Sequence, residues 1–410
     1  MATIAVLGTL DTKGEEHAFL ADIIHSRGHD TLLIDAGTGG EPTVVPDITR
    51  EEVAAAGEVE LSPLLDRQDR GECVSAMSMA APKLISELAS EGKVDGIISL
   101  GGGGGTAIAT AAMRALPIGF PKVMVSTLAA GDTSGYLGTK DIVMIPSIAD
   151  VSGLNRLSRL IFSRAAGAIC GMVETDVKDS ASRPLIVASM FGNTTKCISE
   201  ARKVLEDAGY EVLVFAATGT GGRAMESLIE SGMVDGVLDI TTTELADELV
   251  GGILSAGPDR MNAAADRAIP AVVAPGCLDM VNFGEKDSVP SKFSDRTFYI
   301  HNPQVTLMRT TPEECRELGA ILAGKANRHE GKITIMVPHR ALSEINGKDQ
   351  PFYDPEADKA LFDSIRDKAE VEVQEFDEEI NSSRFARACA EKLLENIRSH
   401  KEKSNTSLQA

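Results

Sequence analysis

A set of short motifs occurs twice in this chain, in the same order. The first series reads Ile4-Ala-Val-Leu-Gly-Thr-Leu-Asp-Thr-Lys13, Gly28-His-Asp-Thr-Leu-Leu-Ile-Asp35, Gly37-Thr-Gly-Gly40 and Val94-Asp-Gly-Ile97. The second reads Leu185-Ile-Val-Ala188, Asn193-Thr-Thr-Lys196, Gly209-Tyr-Glu-Val-Leu-Val-Phe215, Gly219-Thr-Gly-Gly222 and Val234-Asp-Gly-Val237. A duplicated α/β unit accounts for both halves, and two such halves facing each other would leave a cleft suited to chemistry. The expected domains are 1–180 and 181–398, followed by a frayed polar tail at 399–410.

Within each half, short β-branched runs alternate with helical stretches, the pattern of right-handed parallel βαβ units. Strands are expected at 3–8, 31–35, 94–100 and 122–127, with helices near 14–26, 74–91 and 106–115. A linking helix covers 152–172. The second series places strands at 185–190, 211–216, 234–240 and 271–275, with helices near 195–208, 222–231 and 243–256. A Pro-rich, irregular stretch spans 275–312. Strands at 332–338 and 371–375 and helices near 355–369 and 382–398 complete the chain. The fold class is therefore α/β, with two Rossmann-like parallel-sheet subdomains. In such sheets ligands sit beyond the carboxyl ends of the strands. That rule selects loops 8–14, 36–40, 101–106 and 126–133, and then 190–196, 216–222, 240–244 and 275–282.

Charge and cysteine usage narrow the function classes. With 40 Lys and Arg against 61 Asp and Glu, the formal charge is −21. This argues against broad nucleic-acid binding or adhesion to an anionic membrane, both of which need basic patches. The six cysteines show no zinc-type spacing and read as reduced, buried thiols. No apolar run approaches the roughly 18 residues of a membrane span. The start carries no signal-peptide pattern, so a cytoplasmic location is expected.

The strongest local signal is Ser99-Leu-Gly-Gly-Gly-Gly-Gly-Thr106. Successive glycines let a ligand approach the backbone closely, and the following helix presents its positive end at the same point. The amides of Gly102, Gly103, Gly104 and Gly105, with Thr106, form a candidate phosphate cradle. It has neither a Walker ending nor the G-x-G-x-x-G order, which disfavours an NAD-dependent oxidoreductase. Gly8–Gly14 adds Thr9, Asp11 and Lys13, where a cation meets phosphate and a carboxylate meets magnesium. An Asp/Thr helix cap explains the same residues equally well. Ser126, Gly131 and Asp132 close the same edge, with Asp11 and Asp132 as candidate magnesium ligands.

In the second half the five glycines give way to Asp239-Ile-Thr-Thr-Thr-Glu-Leu-Ala-Asp247. The two halves are therefore expected to bind different things, a nucleotide first and a polar substrate second. Candidate substrate contacts are Asn193, Thr194, Thr195, Gly221, Thr242, Thr243 and Cys277, although helix capping and burial explain several of them. His301 and Arg309 suit anion or carbonyl contacts, and Glu244 is a candidate general base. His17, His25 and His29 are expected on a solvated surface.

Taken together, several of these stretches resemble one family. They are Thr9–Gly14, Gly101–Thr106, Ser126–Asp132, Ile148–Asn155, Met190–Thr195, Val214–Glu226, Pro275–Phe283 and His301–Arg309. The family is that of the ATP-binding N-terminal domain of the tomato mosaic virus resistance protein, which has many bacterial members. The resemblance covers residues 1–395. It implies two Rossmann-like subdomains, binding of ATP with Mg2+, and a homodimer. In the plant protein the domain binds a viral replication helicase and is fused to a TIM barrel; for this chain that implies, at most, a separate TIM-barrel partner. One departure is Ala216, which stands where the family pattern has His. Two functions compete: ATP-dependent phosphoryl transfer to a small carboxylate or sugar acid, and a non-catalytic, nucleotide-regulated protein-binding module.

Overall fold

The computed structural model describes residues 1–176 and 183–407, with backbone only for 403–407. It divides into two compact units, Met1–Asp179 and Ser180–Ala410.

The first unit holds β1 (Thr3–Gly8), β2 (Asp30–Asp35), β3 (Gly96–Gly101), β4 (Lys122–Ser126) and β5 (Val143–Pro146) in one parallel sheet. Their spatial order is β2-β1-β3-β4-β5. Successive side chains leave opposite faces of a strand, and here both faces are covered. Ile4 and Val6 pack with Leu20, Ile24, Phe162 and Ile169, from helices Leu10–Ser26 and Arg156–Glu174. Ala5 and Leu7 pack with Met77, Ile85, Ile108 and Met113, from helices Arg70–Ser90 and Gly103–Ala115. This double burial explains why the strands read as continuous apolar runs.

The second unit holds β6 (Leu185–Met190), β7 (Glu211–Ala216), β8 (Gly236–Thr241) and β9 (Ala271–Gly276). After them come β10 (Met280–Phe283), β11 (Phe298–Asn302), β12 (Val305–Arg309), β13 (Ile333–Pro338) and β14 (Glu372–Phe376). Six of these strands form a parallel sheet in the order β14-β13-β9-β8-β6-β7. The repeat extends to register. In the first unit Ile4 pairs with Gly96, and in the second Ile186 pairs with Gly236. Likewise Ile97 pairs with Lys122, and Val237 with Ala271.

The structure departs from the sequence expectation in several regions: β5 and helix Leu61–Arg67 had not been anticipated, and the helix expected at 243–256 ends at Val250. The stretch expected to be irregular at 275–312 contains a three-stranded antiparallel sheet, order β10-β12-β11. Helices Arg50–Ala56 and Pro312–Asn327 had not been anticipated, although both begin with a capping box, at Thr49/Glu52 and Thr311/Glu314. The tail expected to fray continues helix Ser383–Ser407. The linker residues 177–182 lie outside the described residues. No helix among the described residues is long and apolar enough to cross a membrane.

Candidate functional site

The glycine run is not a free loop. Gly101 ends β3, Gly102 is the N-cap, and Gly103, Gly104 and Gly105 form the first turn of helix Gly103–Ala115. First-turn amides have no partner inside a helix, and here no side chain caps them. None of Gly102–Gly105 has a positive φ. A Cβ on Gly103 would meet nothing within 4 Å, and one on Gly105 would come no closer than 3.7 Å to Leu100 O. Only Gly101 and Gly104 are tightly packed, at 3.1 Å from Gly105 and 3.2 Å from Val74. Thus neither backbone conformation nor chain packing requires glycine at 103 or 105, where it costs helix stability.

These amides open onto a cavity of about 750 Å³ formed within the first unit. Gly102, Gly104 and Gly105 line one side, and Thr9, Asp11, Thr12 and Lys13 line another. Thr38, Gly39, Gly40, Arg50 and Arg70 also face it, as do the apolar Leu65, Val74 and Ile108. Among the described residues, neither Lys13 Nζ nor the Arg70 guanidinium has a hydrogen-bond or ion-pair partner. Arg70 Nη2 lies 3.8 Å from where a Gly104 Cβ would stand. Two unpaired cations and a helix N-terminus therefore converge on one space, which favours an anionic ligand.

The surrounding loops are held by hydrogen bonds, those of Asp35 buried and those of Asp11 and Arg50 nearer the surface. Asp35 Oδ1 accepts from Leu10 N–H at 3.0 Å and Gly37 N–H at 2.8 Å. Asp11 Oδ2 accepts from Gly39 N–H at 2.6 Å. Arg50 donates to the carbonyl of Gly40, to Glu41 at 3.2 Å and to Glu51 at 2.9 Å, so it holds the loop in place. At Lys13 the helix is kinked, with φ −132° and ψ 21°. The carbonyl of Lys13 accepts a 2.7 Å hydrogen bond, so His17 Nδ1 carries a proton. His17 Nε2 then accepts from Leu100 N–H at 3.3 Å. This imidazole links the Lys13 turn to the glycine strand. It is fully buried beneath Gly8, contrary to the surface position expected for it, and burial lowers its pKa. Gly8 makes room by lacking a Cβ, a relation that only the folded chain displays.

Other expected site residues stand elsewhere. Thr106 and Ser126 are fully buried and bonded to each other at 2.7 Å, which turns both hydroxyls into the core. Asp132 accepts from Ser134 N–H and Oγ at 2.9 and 2.7 Å in a local turn, and neither it nor Gly131 lines the cavity. Asp150 does line it. Among the described residues no group of three His, Cys, Asp or Glu could hold a metal unaided. The carboxylates that line the cavity, besides Glu41, are Asp11 and Asp150, and Asp11 already accepts from Gly39 N–H and Thr12 Oγ1.

In the second unit the expected substrate residues are mostly internal. Glu244 is fully buried, its carboxylate accepting from Gly219 N–H, Gly222 N–H and Arg260. Thr242 Oγ1 donates to Ala274 O at 3.0 Å, and Thr243 Oγ1 accepts from Asn282 at 3.2 Å. Thr194 Oγ1 bonds Thr241 Oγ1 at 2.8 Å, while Asn193 O accepts from Asn381 at 2.9 Å. Thr195 is exposed on the first turn of its helix, bonded to Gly192 O at 3.0 Å, and Gly221 is half-buried. Arg309 is buried and bound to Asp358 at 2.6 Å and Phe352 O at 2.9 Å, so it braces the fold instead of facing a ligand. Cys277 sits in an apolar cluster with Met280, Leu307 and Phe352, and burial pushes its thiol far up. Fully buried, it is placed as a structural thiol and not at a surface where a substrate could reach it. His301 is exposed on β11.

Sequence reasoning had given no role to Arg50, Arg70 and Asp150, which come from three different segments. The sequence signal at the first two is a charge beside a cap, Thr49 before Arg50 and Asp69 before Arg70, while Asp150 lies in the stretch Ile148–Asn155 that carries part of the family resemblance.

Sequence comparison adds kinship to this geometry. A pattern described as the N-terminal domain of the uncharacterised protein family UPF0261 matches residues 2–178. The C-terminal domain of that family matches 183–397. A UPF0261 protein of Clostridium tetani (strain Massachusetts / E88) is 50% identical over 395 residues, 95% of this chain and 98% of that protein. The ToMV resistance protein Tm-1(GCR237) of Solanum lycopersicum is 36% identical over 418 residues, 95% of this chain and 55% of that protein. A solved glycosyltransferase, SsfS6 of Streptomyces sp. SF2575, aligns at 11% identity with a TM-score of 0.19, covering 95% of this chain and 98% of that one. That overlap is too low to inform function. With both of its domain patterns matched in order across nearly the whole length, the chain belongs to the UPF0261 family.

Proposed function

We propose that the first unit binds a nucleotide by its phosphates, ATP with magnesium in the first instance. One observation carries this reading. Gly105, which lines the cavity, is a glycine that the chain does not need for its own conformation or packing, at a helix N-terminus beside the unpaired cations Lys13 and Arg70. A close-approaching phosphate explains it. The cavity's two characters fit the rest of a nucleotide: its volume of about 750 Å³ suits a ligand of that size, and Leu65, Val74 and Ile108 offer an apolar wall to a base. Asp11 and Asp150 would supply oxygens to the magnesium. The choice of ATP among nucleotides rests on the resemblance to the plant domain.

Between phosphoryl transfer and a nucleotide-regulated binding role, the second unit favours the latter. Thr242, Thr243, Glu244 and Arg309, the residues expected to orient an acceptor, are buried and bonded within that unit. Thermal-shift titration tests the proposal. ATP with magnesium should raise the melting temperature of the whole chain, NAD should not, and Lys13→Ala should weaken the response without lowering the unliganded melting temperature. An equal response to NAD, or an unchanged response in Lys13→Ala, would overturn it.

A further inference from the structure

The repeat can be followed residue by residue through the site. Val94-Asp-Gly96 and Val234-Asp-Gly236 occupy the same register beside β1 and β6 and continue without a gap into the next helix. Counting forward, Ser99 corresponds to Asp239 and Gly104 to Glu244. The motif Gly37-Thr-Gly-Gly40 matches Gly219-Thr-Gly-Gly222 one residue out of step with the β2/β7 register, and a helix starts at it only in the second unit.

In the second unit Glu244 reaches from the end of β8 to the neighbouring glycine turn. Its Oε1 accepts from Gly219 N–H at 2.7 Å and from Gly222 N–H at 3.1 Å, at the start of helix Thr220–Glu230. Its Oε2 accepts from Arg260 Nε at 2.6 Å. Both side chains are fully buried. Asp239 holds Arg260 with two further bonds, at 2.6 and 2.7 Å. A Cβ on Gly222 would collide with the Glu244 carboxylate, so the glycine there is needed for this contact. Backbone amides at a helix start plus a guanidinium are what a free carboxylate or phosphate would be given.

In the first unit Gly104 has no side chain and Ser99 stands at the Asp239 position. Gly37 N–H is taken by Asp35 Oδ1 and Gly39 N–H by Asp11 Oδ2, while a Cβ on Gly40 would meet nothing within 4 Å. What remains is space, lined by Gly40, Gly104 and Arg70.

We propose that the second unit is a self-liganded copy of the anion site, filled by the chain's own Glu244. The first unit receives its ligand's oxyanion at the corresponding point, between Gly40 and Gly104. This rests on the nucleotide reading for the first unit, and adds where the anion sits and why the second unit has no room for one.

The test uses the full-length chain. Glu244→Ala removes a CH2COO− group, the size of acetate, and leaves Arg260 and the two glycine amides without their partner. Sodium acetate should raise the melting temperature of this variant by roughly 2–4 °C over sodium chloride at equal ionic strength, with no such difference in wild type. Glu244→Gln keeps the volume filled and should show no acetate response. A Glu244→Ala chain that acetate does not stabilise or refold beyond the chloride control overturns the proposal. In the opposite direction, Gly104→Glu should stay folded and lose binding of inorganic pyrophosphate; retained binding also overturns it. Absence of any ATP or pyrophosphate binding by wild type would instead strike the nucleotide reading, and the acetate result would still decide the self-liganding.

Discussion

At the scale of single residues, glycine is the informative one. Its usual justifications are a positive φ or a crowded Cβ, and both hold elsewhere in this chain, as at Gly219 with φ 78°. At Gly105 neither holds, so Gly105→Ala is expected to move stability and binding in opposite directions. The helix should gain about 0.5–1 kcal/mol, read by chemical denaturation, because alanine restricts the unfolded chain and suits a helix. ATP affinity should fall in the same protein. Asp247 gives a second prediction. Burial pushes its carboxyl from 3.8 up to about 7, against hydrogen bonds from Asn282 and Leu254. The folded state therefore holds this proton more tightly than the unfolded chain. Stability from this group is present at acid pH and is lost as pH rises from about 4 to about 7. Asp247→Asn should flatten that slope in melting temperature against pH. The buried and unbonded Oδ1 of Asn282 can rotate to meet the new amide.

At the scale of elements, the site is assembled from helix starts. Helix Gly103–Ala115 supplies amides, Arg70–Ser90 supplies the Arg70 guanidinium from its first residue, and the kinked start of Leu10–Ser26 supplies Lys13. Arg70 has no structural partner among the described residues, so Arg70→Ala should leave the melting temperature unchanged. It should weaken ATP binding about tenfold or more, because a charge-assisted hydrogen bond contributes about 1.5–3 kcal/mol. His17 ties two of these elements together. Burial depresses its pKa below 6.5, so its contribution is present above that pH and is lost as pH falls. Protection factors of the β1 and β3 amides, corrected for the intrinsic pH dependence of exchange, should therefore fall as pH drops below 6.5, the reverse of the trend from Asp247 in the other unit. An equal loss of protection across both sheets would contradict this assignment.

At the scale of the whole molecule, the repeat was legible because duplication preserved register: Val-Asp-Gly marks the same point beside the first strand of each unit. The parallel strands were legible because both of their faces are buried. The sheet β10-β12-β11 was not. Its strands are only four and five residues long, and buried Asn282 and Thr306 interrupt the apolar alternation. Half of the candidate site could be read from sequence, namely the glycine run, Asp11 and Lys13. Arg70 could not, because only folding brings it beside Gly104. Glu244 was misread for a related reason: an acid after a strand looks reactive until Arg260 and two amides are seen to occupy it.

Calorimetric titration of ATP with magnesium, into wild type and into Gly105→Asp, tests the central claim most directly. Gly105 lines the cavity with room for a Cβ and an acid suits a helix start, so the variant should fold. The account predicts one site per chain in wild type and none in the folded variant. No binding by wild type, or undiminished binding by the variant, would contradict it.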